Sequence, residues 1–361
     1  MKNSFTIKTP KGERGIGGDA PTFVIAEMSA NHGQDYNKAV EIVKAAAAAG
    51  VDAIKLQTYS PDSITMDCNN KYFQVGGGGN PELWAKETFY TIYQKAYTPR
   101  EWHAPLQTLA HKLGLVFFST PFHPTDVDFL ETLNIPLYKV ASYEVTDIPL
   151  LKRIAQTKKP VIMSIGFASQ EEVELAISTL RENGTTEIGI FHCVTAYSNN
   201  PKPEDTNLAT MLDIEDRYNV VAGFSDNNAG IEIPLQAVMM GAAMIEKHVV
   251  ADKAGNTFDA DFSVGPDELK KFVDAVRRAE VIKGKVNYGT QSQAEEHNIR
   301  YRKSIFVVED IKKGELFTVK NIRVIRPNFG LQPKNYEEVL GKTAKKDIER
   351  GTPLMWNIIN L

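Results

Sequence analysis

Eight short apolar segments, each followed by a stretch with helical periodicity, run from about residue 22 to about residue 284 and dominate this sequence. They are nearly continuous hydrophobic runs, which are typical of strands buried on both faces of a parallel sheet. Eight strand–helix units over roughly 260 residues match the count and size of a (β/α)8 barrel, the TIM barrel. A doubly wound open α/β sheet is the alternative, because the sequence does not show whether the sheet closes. The predicted strands are Phe23–Met28, Ala53–Thr58, Val116–Thr120, Tyr138–Ser142, Val161–Gly166, Ile188–Tyr197, Val220–Asp226 and Met244–Val250.

Local signals mark the starts of several helices between these strands. Ser169 and Glu172 have the spacing of a capping box ahead of a helical stretch. Thr98 and Pro99 are predicted to be the cap and the first residue of another helix. Pro266 is predicted to open the last helix of the barrel.

The connection at residues 59–115 is far longer than an ordinary βα loop, so we expect it to carry structure of its own or to form a lid. It contains a glycine run, GGGGN, at 76–80. A phosphate-binding P-loop needs a strand before these glycines and a Lys-Ser or Lys-Thr pair after them. Neither is present, so the sequence does not predict a P-loop.

The pattern changes after about residue 285 and predicts a second domain. We assign residues 1–284 to the barrel, 285–302 to a polar linker and 303–361 to a small β-rich domain. A weak internal repeat lies in this tail, because Asp310–Gly314 is echoed by Asp347–Gly351.

Composition, charge and cysteine content fit a protein of the reducing cytoplasm. The 41 Lys and Arg residues nearly balance the 45 Asp and Glu residues, so charge favours neither nucleic acid nor a membrane surface as a partner. No apolar run reaches the roughly 18 residues of a membrane-spanning helix, and the N-terminus has no apolar signal segment. Cys68 and Cys193 lie far apart and do not indicate a disulfide framework.

Two lysines inside predicted apolar strands, Lys55 and Lys139, are the clearest candidates for function. A buried ammonium group is costly unless an anion meets it. Barrel enzymes place their sites at the C-terminal ends of the strands, where hydroxyl residues also cluster here. Together these groups predict a compact site for a small ligand that carries phosphate and carboxylate. The hydroxyl residues are Thr120, Ser142, Thr195 and Ser225.

Carboxylates and a histidine at other strand ends predict acid–base groups or metal ligands. Glu246 and His248 share one face of the last strand, and Glu27 ends the first. A single histidine is more often structural than a ligand. A Schiff-base aldolase is a second interpretation of the lysines. It needs one unusually apolar lysine rather than two cations among hydroxyls, so it ranks second.

Six motifs, in this order, carry a resemblance to a known family: FVIAEMSANHG, DAIKLQTYSPDSIT, FFSTPF, YKVASYE, GFSD and MIEKHV. Over nearly its whole length the sequence resembles the sialic acid, or nonulosonic acid, synthases. The tail, with Ile325-Arg326-Pro327, resembles their antifreeze-like SAF domain. The Ser-Ala-Asn-His segment and TYSPDSIT are most similar to pseudaminic acid synthases, and neuraminate and legionaminate synthases are the near alternatives.

The resemblance implies a reaction and its substrates. Phosphoenolpyruvate and water would condense with the aldehyde of an N-acetylated amino sugar, without a Schiff base. The products would be a nine-carbon 2-keto-3-deoxy sugar acid and phosphate. The resemblance also implies a divalent metal, Mn²⁺ or Mg²⁺, and a domain-swapped homodimer.

The resemblance assigns roles by matching motif positions. Glu27, Glu144 and Lys139 would be catalytic, with Glu144 beside the reacting carbons. His248 would hold the metal. The set that faces phosphoenolpyruvate would be Lys55, Thr120, Lys139, Ser142, Thr195 and Ser225. The set that faces the sugar would be Glu27, Gln57, Tyr197, Asp259 and, from the tail of the other subunit, Arg326.

One departure from the family pattern concerns the metal, because Asn227 stands where the family has its first metal histidine. An asparagine carbonyl oxygen is a hard ligand that suits Mg²⁺ or Mn²⁺. The lysine side of the site keeps its expected residues. A non-catalytic relative that only binds phosphoenolpyruvate or a sugar acid is therefore a further alternative.

Overall fold

The computed structural model describes residues 3–76, 87–195, 202–253 and 257–360. The chain divides into two compact units, Met1–Gly284 and Lys285–Leu361, which we call the barrel unit and the tail unit. Within the described ranges, no helix is both long and apolar enough to cross a membrane.

The barrel unit begins with an antiparallel hairpin of β1 (Ser4–Thr9) and β2 (Gly12–Gly17). Its buried positions alternate with exposed ones, and Phe5 and Ile7 join the core of the barrel. The side chain of Asn3 donates to the carbonyl of Val220, just before a barrel strand, so the hairpin lies at the N-terminal end of the barrel. It is absent from the predicted strands, because its alternation is too short to stand out against the polar residues around it.

Eight parallel strands follow and close into a barrel, in which the last strand pairs with the first. This closure confirms the TIM barrel and rules out the open sheet. The first barrel strand is buried at every position, as the continuous apolar pattern predicted. The strands are β3 (Phe23–Glu27), β4 (Ala53–Thr58), β5 (Val116–Pro121), β6 (Tyr138–Val140), β7 (Val161–Ser164), β8 (Ile188–Cys193), β9 (Val221–Asp226) and β10 (Met244–His248).

Several predicted strands extend too far at their C-terminal ends. The strand predicted to reach Ser142 ends at Val140, and the chain then forms a 3-10 turn over Ser142–Glu144. The strand predicted to reach Met28 ends at Glu27, before a similar turn over Ser29–His32. These residues are apolar enough to resemble strand, but they leave the ladder where the site begins. The predicted end of the sixth barrel strand, at Tyr197, lies outside the described residues.

Ten helices lie among the described residues of the barrel unit: α1 (Tyr36–Ala49), α2 (Pro61–Ile64), α3 (Phe89–Ala96), α4 (Arg100–Lys112), α5 (Pro124–Thr132), α6 (Ile148–Ala155), α7 (Gln170–Glu182), α8 (Ala209–Tyr218), α9 (Glu232–Met240) and α10 (Pro266–Lys283). The capping box of Ser169 and Glu172 at the start of α7 is confirmed, as is the start of α10 at Pro266. The prediction for Thr98 is wrong. Pro99 occupies the N-cap of α4, and the hydroxyl of Thr98 pairs instead with Nε2 of His32 at 3.1 Å.

The tail unit packs around its own small core, which includes Phe317 and Leu354. The two halves of the internal repeat hydrogen-bond to each other in a reciprocal way. The backbone N–H of Arg350 donates to Asp310 at 2.8 Å, and that of Lys313 donates to Asp347 at 2.9 Å. Each half of the repeat therefore holds a turn of the other. Its elements are α11 (Gln293–Asn298), β11 (Ser304–Val307), β12 (Ile322–Ile325), α12 (Tyr336–Val339), β13 (Thr343–Ala344) and β14 (Ile359–Asn360).

Candidate active site

A buried cluster of opposite charges lies inside the barrel, where β3, β4 and β10 are neighbours in the sheet. Nζ of Lys55 on β4 lies 2.6 Å from Oε2 of Glu27 on β3 and 3.7 Å from Oε1 of Glu246 on β10. All three residues are buried. Lys55 therefore meets carboxylates of the protein itself, which the lysine-and-hydroxyl hypothesis did not anticipate.

Polar neighbours fix the orientation of this cluster. Lys55 donates to the hydroxyl of Thr120 at 3.1 Å. The amide of Gln57 donates to Glu27 at 3.0 Å and to Ser29 at 2.9 Å. Lys55 and Gln57 thus share one face of β4, which follows from the two-residue period of a strand.

Burial and mutual charge shift the pKa values in the cluster. Burial raises the pKa of Glu27 to about 7, with the Lys55 ammonium opposing the shift and Glu246 adding to it. For Lys55 burial acts to lower the pKa, but the charges of Glu246 and Glu27 outweigh it, so the pKa of Lys55 is raised. Lys55 therefore stays charged at neutral pH, while Glu27 exchanges its proton near neutrality.

The second lysine, Lys139 on β6, has neutral partners. Its Nζ donates to Oγ of Ser164 at 2.6 Å and to the carbonyl of Val140 at 3.0 Å, and it lies 5.7 Å from the ring centre of Phe191. Burial lowers its pKa, and the charge of Lys55 lowers it further. The predicted set lacked Ser164, and its place at the end of a barrel strand is the signal that could have found it.

A cluster of small polar groups lies where β6, β7 and β8 end. The hydroxyl of Ser142 accepts from the N–H of Gly166 at 3.1 Å and from Thr195 at 3.4 Å, and it lies 3.2 Å from Sγ of Cys193. A Cβ added at Gly166 would stand 2.0 Å from the Thr195 hydroxyl. Only glycine therefore leaves room for this cluster, which we call the hydroxyl cluster: Ser142, Gly166, Cys193 and Thr195.

Glu144 ends the 3-10 turn after β6. Its Oε2 atom is buried and has no hydrogen-bond partner among the described residues. Burial raises its pKa to about 8, against the opposing charge of Lys139, and Asp147 raises it further. The carboxyl is therefore mostly neutral at pH 7 and can act as a proton donor.

The predicted metal ligands lie on adjacent strands. Asp226 pairs with Lys247 in the ladder, so Asn227, which directly follows β9, comes after the same rung of the sheet as His248, the last residue of β10. Nδ1 of His248 is buried without a hydrogen-bond partner in the described part of the chain and lies 3.9 Å from Oδ2 of Asp259. Burial, together with the positive charges nearby, lowers the pKa of His248 well below its usual value.

A neutral ring nitrogen without a partner among the described residues is a ready metal ligand. The carbonyl oxygen of Asn227, whose amide nitrogen donates to the carbonyl of Val194 at 3.4 Å, is the second candidate. Among the described residues, no group of three or more His, Cys, Asp and Glu side chains is arranged to hold a metal ion. The residues fit a weak site of two protein ligands that substrate and water would complete.

A hydrogen bond to Glu246 and an ion pair with Asp226 show which side chains of β9 and β10 face the barrel interior and which face outward. Ser225 on the inner face donates to Glu246 at 3.2 Å. On the outer face, the buried Lys247 lies 2.7 Å from Asp226 and also donates to the carbonyl of Asn228. This buried pair fixes the turn that carries Asn227.

Two predicted site residues are not brought to this site by the described structure. Tyr197 lies outside the described residues. Arg326 directly follows β12 in the tail unit, and its peptide bond to Pro327 is cis.

Comparison with known proteins decides the family. The sequence model of the NeuB family matches residues 42–288, and that of the SAF domain matches residues 302–359. The chain belongs to the NeuB family. It is therefore a nonulosonic acid synthase, an enzyme that condenses phosphoenolpyruvate.

Individual relatives of this NeuB-family chain cover most of its length. A pseudaminic acid synthase from Helicobacter pylori is 41% identical over 92% of this chain and 96% of that protein. An N,N'-diacetyllegionaminic acid synthase from Campylobacter jejuni is 35% identical over 90% of this chain and 96% of that protein. The crystal structure of an N-acetylneuraminic acid synthetase from Leptospira borgpetersenii matches with a TM-score of 0.71 and 31% identity, covering 84% of this chain and 97% of that one.

Proposed function

We propose that this enzyme makes a nonulosonic acid of the pseudaminic acid type. Phosphoenolpyruvate and water condense with the open chain of a diacetamido 6-deoxy hexose, giving a nine-carbon 2-keto-3-deoxy acid and phosphate. The 41% identity to a pseudaminic acid synthase over 92% of the chain carries this proposal. The buried lysines and the hydroxyl cluster support it, because they suit a small dianionic substrate.

In this proposal phosphoenolpyruvate binds between the two lysines. Lys139 and Ser164 form one side, where the N–H of Gly166 donates to the hydroxyl of Ser142 and orients it. Lys55 forms the other side, already oriented by Glu27. The whole proposed set is Lys55, Thr120, Lys139, Ser142, Ser164, Thr195 and Ser225.

The chain's own groups then handle charge and protons. Carbon 3 of phosphoenolpyruvate attacks the aldehyde carbon, and the aldehyde oxygen takes a proton, for which the mostly neutral Glu144 is the candidate donor. Water adds at carbon 2, and the C–O bond to phosphate breaks. Lys55 and Lys139 stabilise the departing phosphate in a site of low dielectric. Glu27, whose pKa is about 7, is the candidate acceptor of the proton that the water releases.

The sugar side of the site and the metal are assigned together. Glu27, Gln57, Tyr197 and Asp259 are proposed to face the acceptor sugar. A divalent cation, Mn²⁺ or Mg²⁺, held by His248 and Asn227, would supply Lewis-acid polarisation of the aldehyde.

Replacing Asn227 by histidine tests the metal assignment. An imidazole nitrogen is a stronger electron-pair donor than a neutral amide oxygen, so Asn227→His should tighten Mn²⁺ binding by about tenfold or more. Electron paramagnetic resonance titration of free Mn²⁺ measures the affinity without turnover. An unchanged affinity would contradict the assigned position, and His248→Ala should abolish binding in either background.

The acceptor is tested by incubation with phosphoenolpyruvate and a panel of sugars, followed by phosphate release and product mass. The panel contains stereoisomeric diacetamido 6-deoxy hexoses and N-acetylmannosamine. Release with the acceptor that gives pseudaminate supports the proposal. Release with the isomer that gives legionaminate, or with N-acetylmannosamine, replaces it by the legionaminate or neuraminate alternative. Tight binding of phosphoenolpyruvate without release from any sugar would indicate the non-catalytic alternative.

We also propose that the active enzyme is a domain-swapped homodimer. Arg326 of the tail unit would then complete the sugar site of the other subunit. An arginine suits this role because its planar group recognises carboxylate and hydroxyl oxygens at fixed geometry.

A further inference from the structure

The long connection after β4 contributes an aromatic surface to the rim of the barrel. Tyr59 directly follows β4, and Phe122 directly follows the neighbouring β5. The ring of Tyr59 contacts that of Phe122 at 5.2 Å and that of Tyr93, on α3, at 5.4 Å, both edge to face. We call Tyr59, Tyr93 and Phe122 the aromatic wall.

Helix α3 is built to hold Tyr93 in this place. Phe89, Ile92, Tyr93 and Ala96 form one stripe of the helix at helical spacing, and Ile92 and Ala96 are buried. A capping box of two threonines fixes the start of the helix. The backbone N–H of Phe89 also donates to the carbonyl of Phe73 at 2.9 Å, which ties the helix to the chain before it.

The aromatic wall stands at the side of the site assigned to the acceptor. It lies over the ends of β4 and β5, next to β6, whose end carries Glu144. Burial raises the pKa of Tyr93 to about 12, and the charge of Glu144 adds to this shift. Burial likewise raises the pKa of Tyr59 well above its usual value, and Asp259 contributes. The two tyrosines therefore interact electrostatically with carboxylates that are proposed to serve the reacting carbon and the sugar.

We infer that the aromatic wall, and Tyr93 above all, determines acceptor specificity for sugars rich in methyl groups. Aromatic faces bind methyl and C–H groups well and leave a sugar hydroxyl without a partner. A diacetamido 6-deoxy hexose presents three methyl groups and replaces the terminal hydroxymethyl by a methyl. The wall therefore favours it over N-acetylmannosamine, which keeps that hydroxyl. This inference rests on the proposed function.

The test compares the two sugars in Tyr93→Ala, Tyr93→Phe and a control, Tyr72→Ala. Tyr72 lies in the same connection and is 75% exposed. The readout is the ratio of kcat/KM for the diacetamido 6-deoxy sugar to that for N-acetylmannosamine. In Tyr93→Ala this ratio should fall by about tenfold to a hundredfold, the discrimination that an apolar pocket provides. Tyr93→Phe should keep the ratio because it keeps the ring, and the KM for phosphoenolpyruvate should change less than twofold in all variants.

A binding measurement separates this inference from the proposed function. Isothermal calorimetry measures the affinity of each sugar for the enzyme that is loaded with phosphoenolpyruvate and from which a chelator has removed the metal. If the wild type turns over no diacetamido sugar, the proposed function fails, while the two binding constants still report on the wall. The inference would be overturned if Tyr93→Ala left the ratio of kcat/KM unchanged, including the case in which kcat/KM falls by the same factor for both sugars. If Tyr93→Ala does not fold, Phe122→Ala provides the same comparison from the other edge of the wall.

Discussion

Gly166 shows how a missing side chain shapes the site. Its N–H donates to Ser142, and a Cβ there would collide with the Thr195 hydroxyl at 2.0 Å and approach Cys193 at 2.9 Å. We predict that Gly166→Ala weakens phosphoenolpyruvate binding by about tenfold or more, because the added methyl group displaces the hydroxyls from the orientation that binds the ligand. Isothermal calorimetry measures this affinity directly. Gly15→Ala is the matched control, because its added methyl meets only Ala20 at 3.6 Å and should leave the affinity unchanged.

The buried carboxyl group of Glu144 should make the stability of the protein depend on pH. Its pKa is about 8 in the fold and 4.5 in the unfolded chain, so the folded protein keeps a proton that the unfolded chain releases as pH rises. Wild-type stability should therefore fall between about pH 4.5 and pH 8 because of this group. Glu144→Gln cannot ionise and escapes the loss. The free energy of unfolding of the variant, relative to that of the wild type, should rise by on the order of a few kcal/mol between pH 5 and pH 9.

Urea unfolding at several pH values measures this gain for Glu144→Gln. Glu171→Gln serves as the control, because Glu171 lies exposed in the first turn of α7 and its pKa is lowered by local hydrogen bonds. The control should show no rise in relative stability with pH. Parallel curves for Glu144→Gln and wild type would contradict the buried, neutral state of this carboxyl.

At the scale of elements, a buried histidine joins α4 to the barrel. Nδ1 of His103 lies 3.2 Å from the carbonyl of Pro99, which can only accept, so Nδ1 carries the proton. Nε2 then accepts from the hydroxyl of Thr58 at 2.8 Å, and Thr58 lies 2.6 Å from the hydroxyl of Ser119 on β5. This arrangement requires a neutral ring, and burial lowers the pKa of His103 to about 4.

Acid should therefore weaken the contact between α4 and the barrel. The unfolded pKa is 6.5, so the stability from neutral His103 is present above pH 6.5 and is lost as the pH falls towards 4. The loss reaches about 3 kcal/mol at most. His103→Gln should flatten the acid limb of a plot of unfolding free energy against pH. The exposed His297→Gln is the control, and an unchanged acid limb in His103→Gln would contradict the prediction.

The same elements show what the sequence could predict. Lys55 and Lys139 stood out because charged residues are rare in strands buried on both faces, and both lie in the barrel interior as expected. Glu246 was visible as a candidate group, but its ion pair with Lys55 depends on the first and last strands meeting. Closure of a barrel is a long-range event that no local pattern encodes.

Two further residues were harder to predict for a related reason. Tyr93 lies in a helix within an irregular connection, and only the fold brings its ring to Tyr59. Ser164 was missed because a serine at a strand end is common, whereas its bond to Lys139 depends on the neighbouring strand. The roles of Asn227 and Arg326 stay predictions, since each needs a partner outside the described chain.

At the scale of the whole molecule, the proposed active site combines residues from the barrel unit with Arg326 from the tail unit, and these could come from one chain or from two. The two lysines proposed to bind phosphoenolpyruvate lie in the barrel unit, and Arg326 lies in the tail unit. In a swapped homodimer each active site combines the barrel of one subunit with the tail of its partner. In the alternative, both parts of a site come from one chain. Single inactivating substitutions do not separate these arrangements, because Lys55→Met and Arg326→Ala are each expected to be inactive in both.

Mixing the two variants does separate them. If Lys55→Met and Arg326→Ala chains are unfolded together and refolded at equal concentration, half of the dimers should be mixed. In a swapped mixed dimer one site has lost both residues, while the other has lost neither. Phosphate release should then return to about a quarter of the wild-type rate. No recovery, with mixed dimers verified by two different affinity tags, would show that each site is built from a single chain.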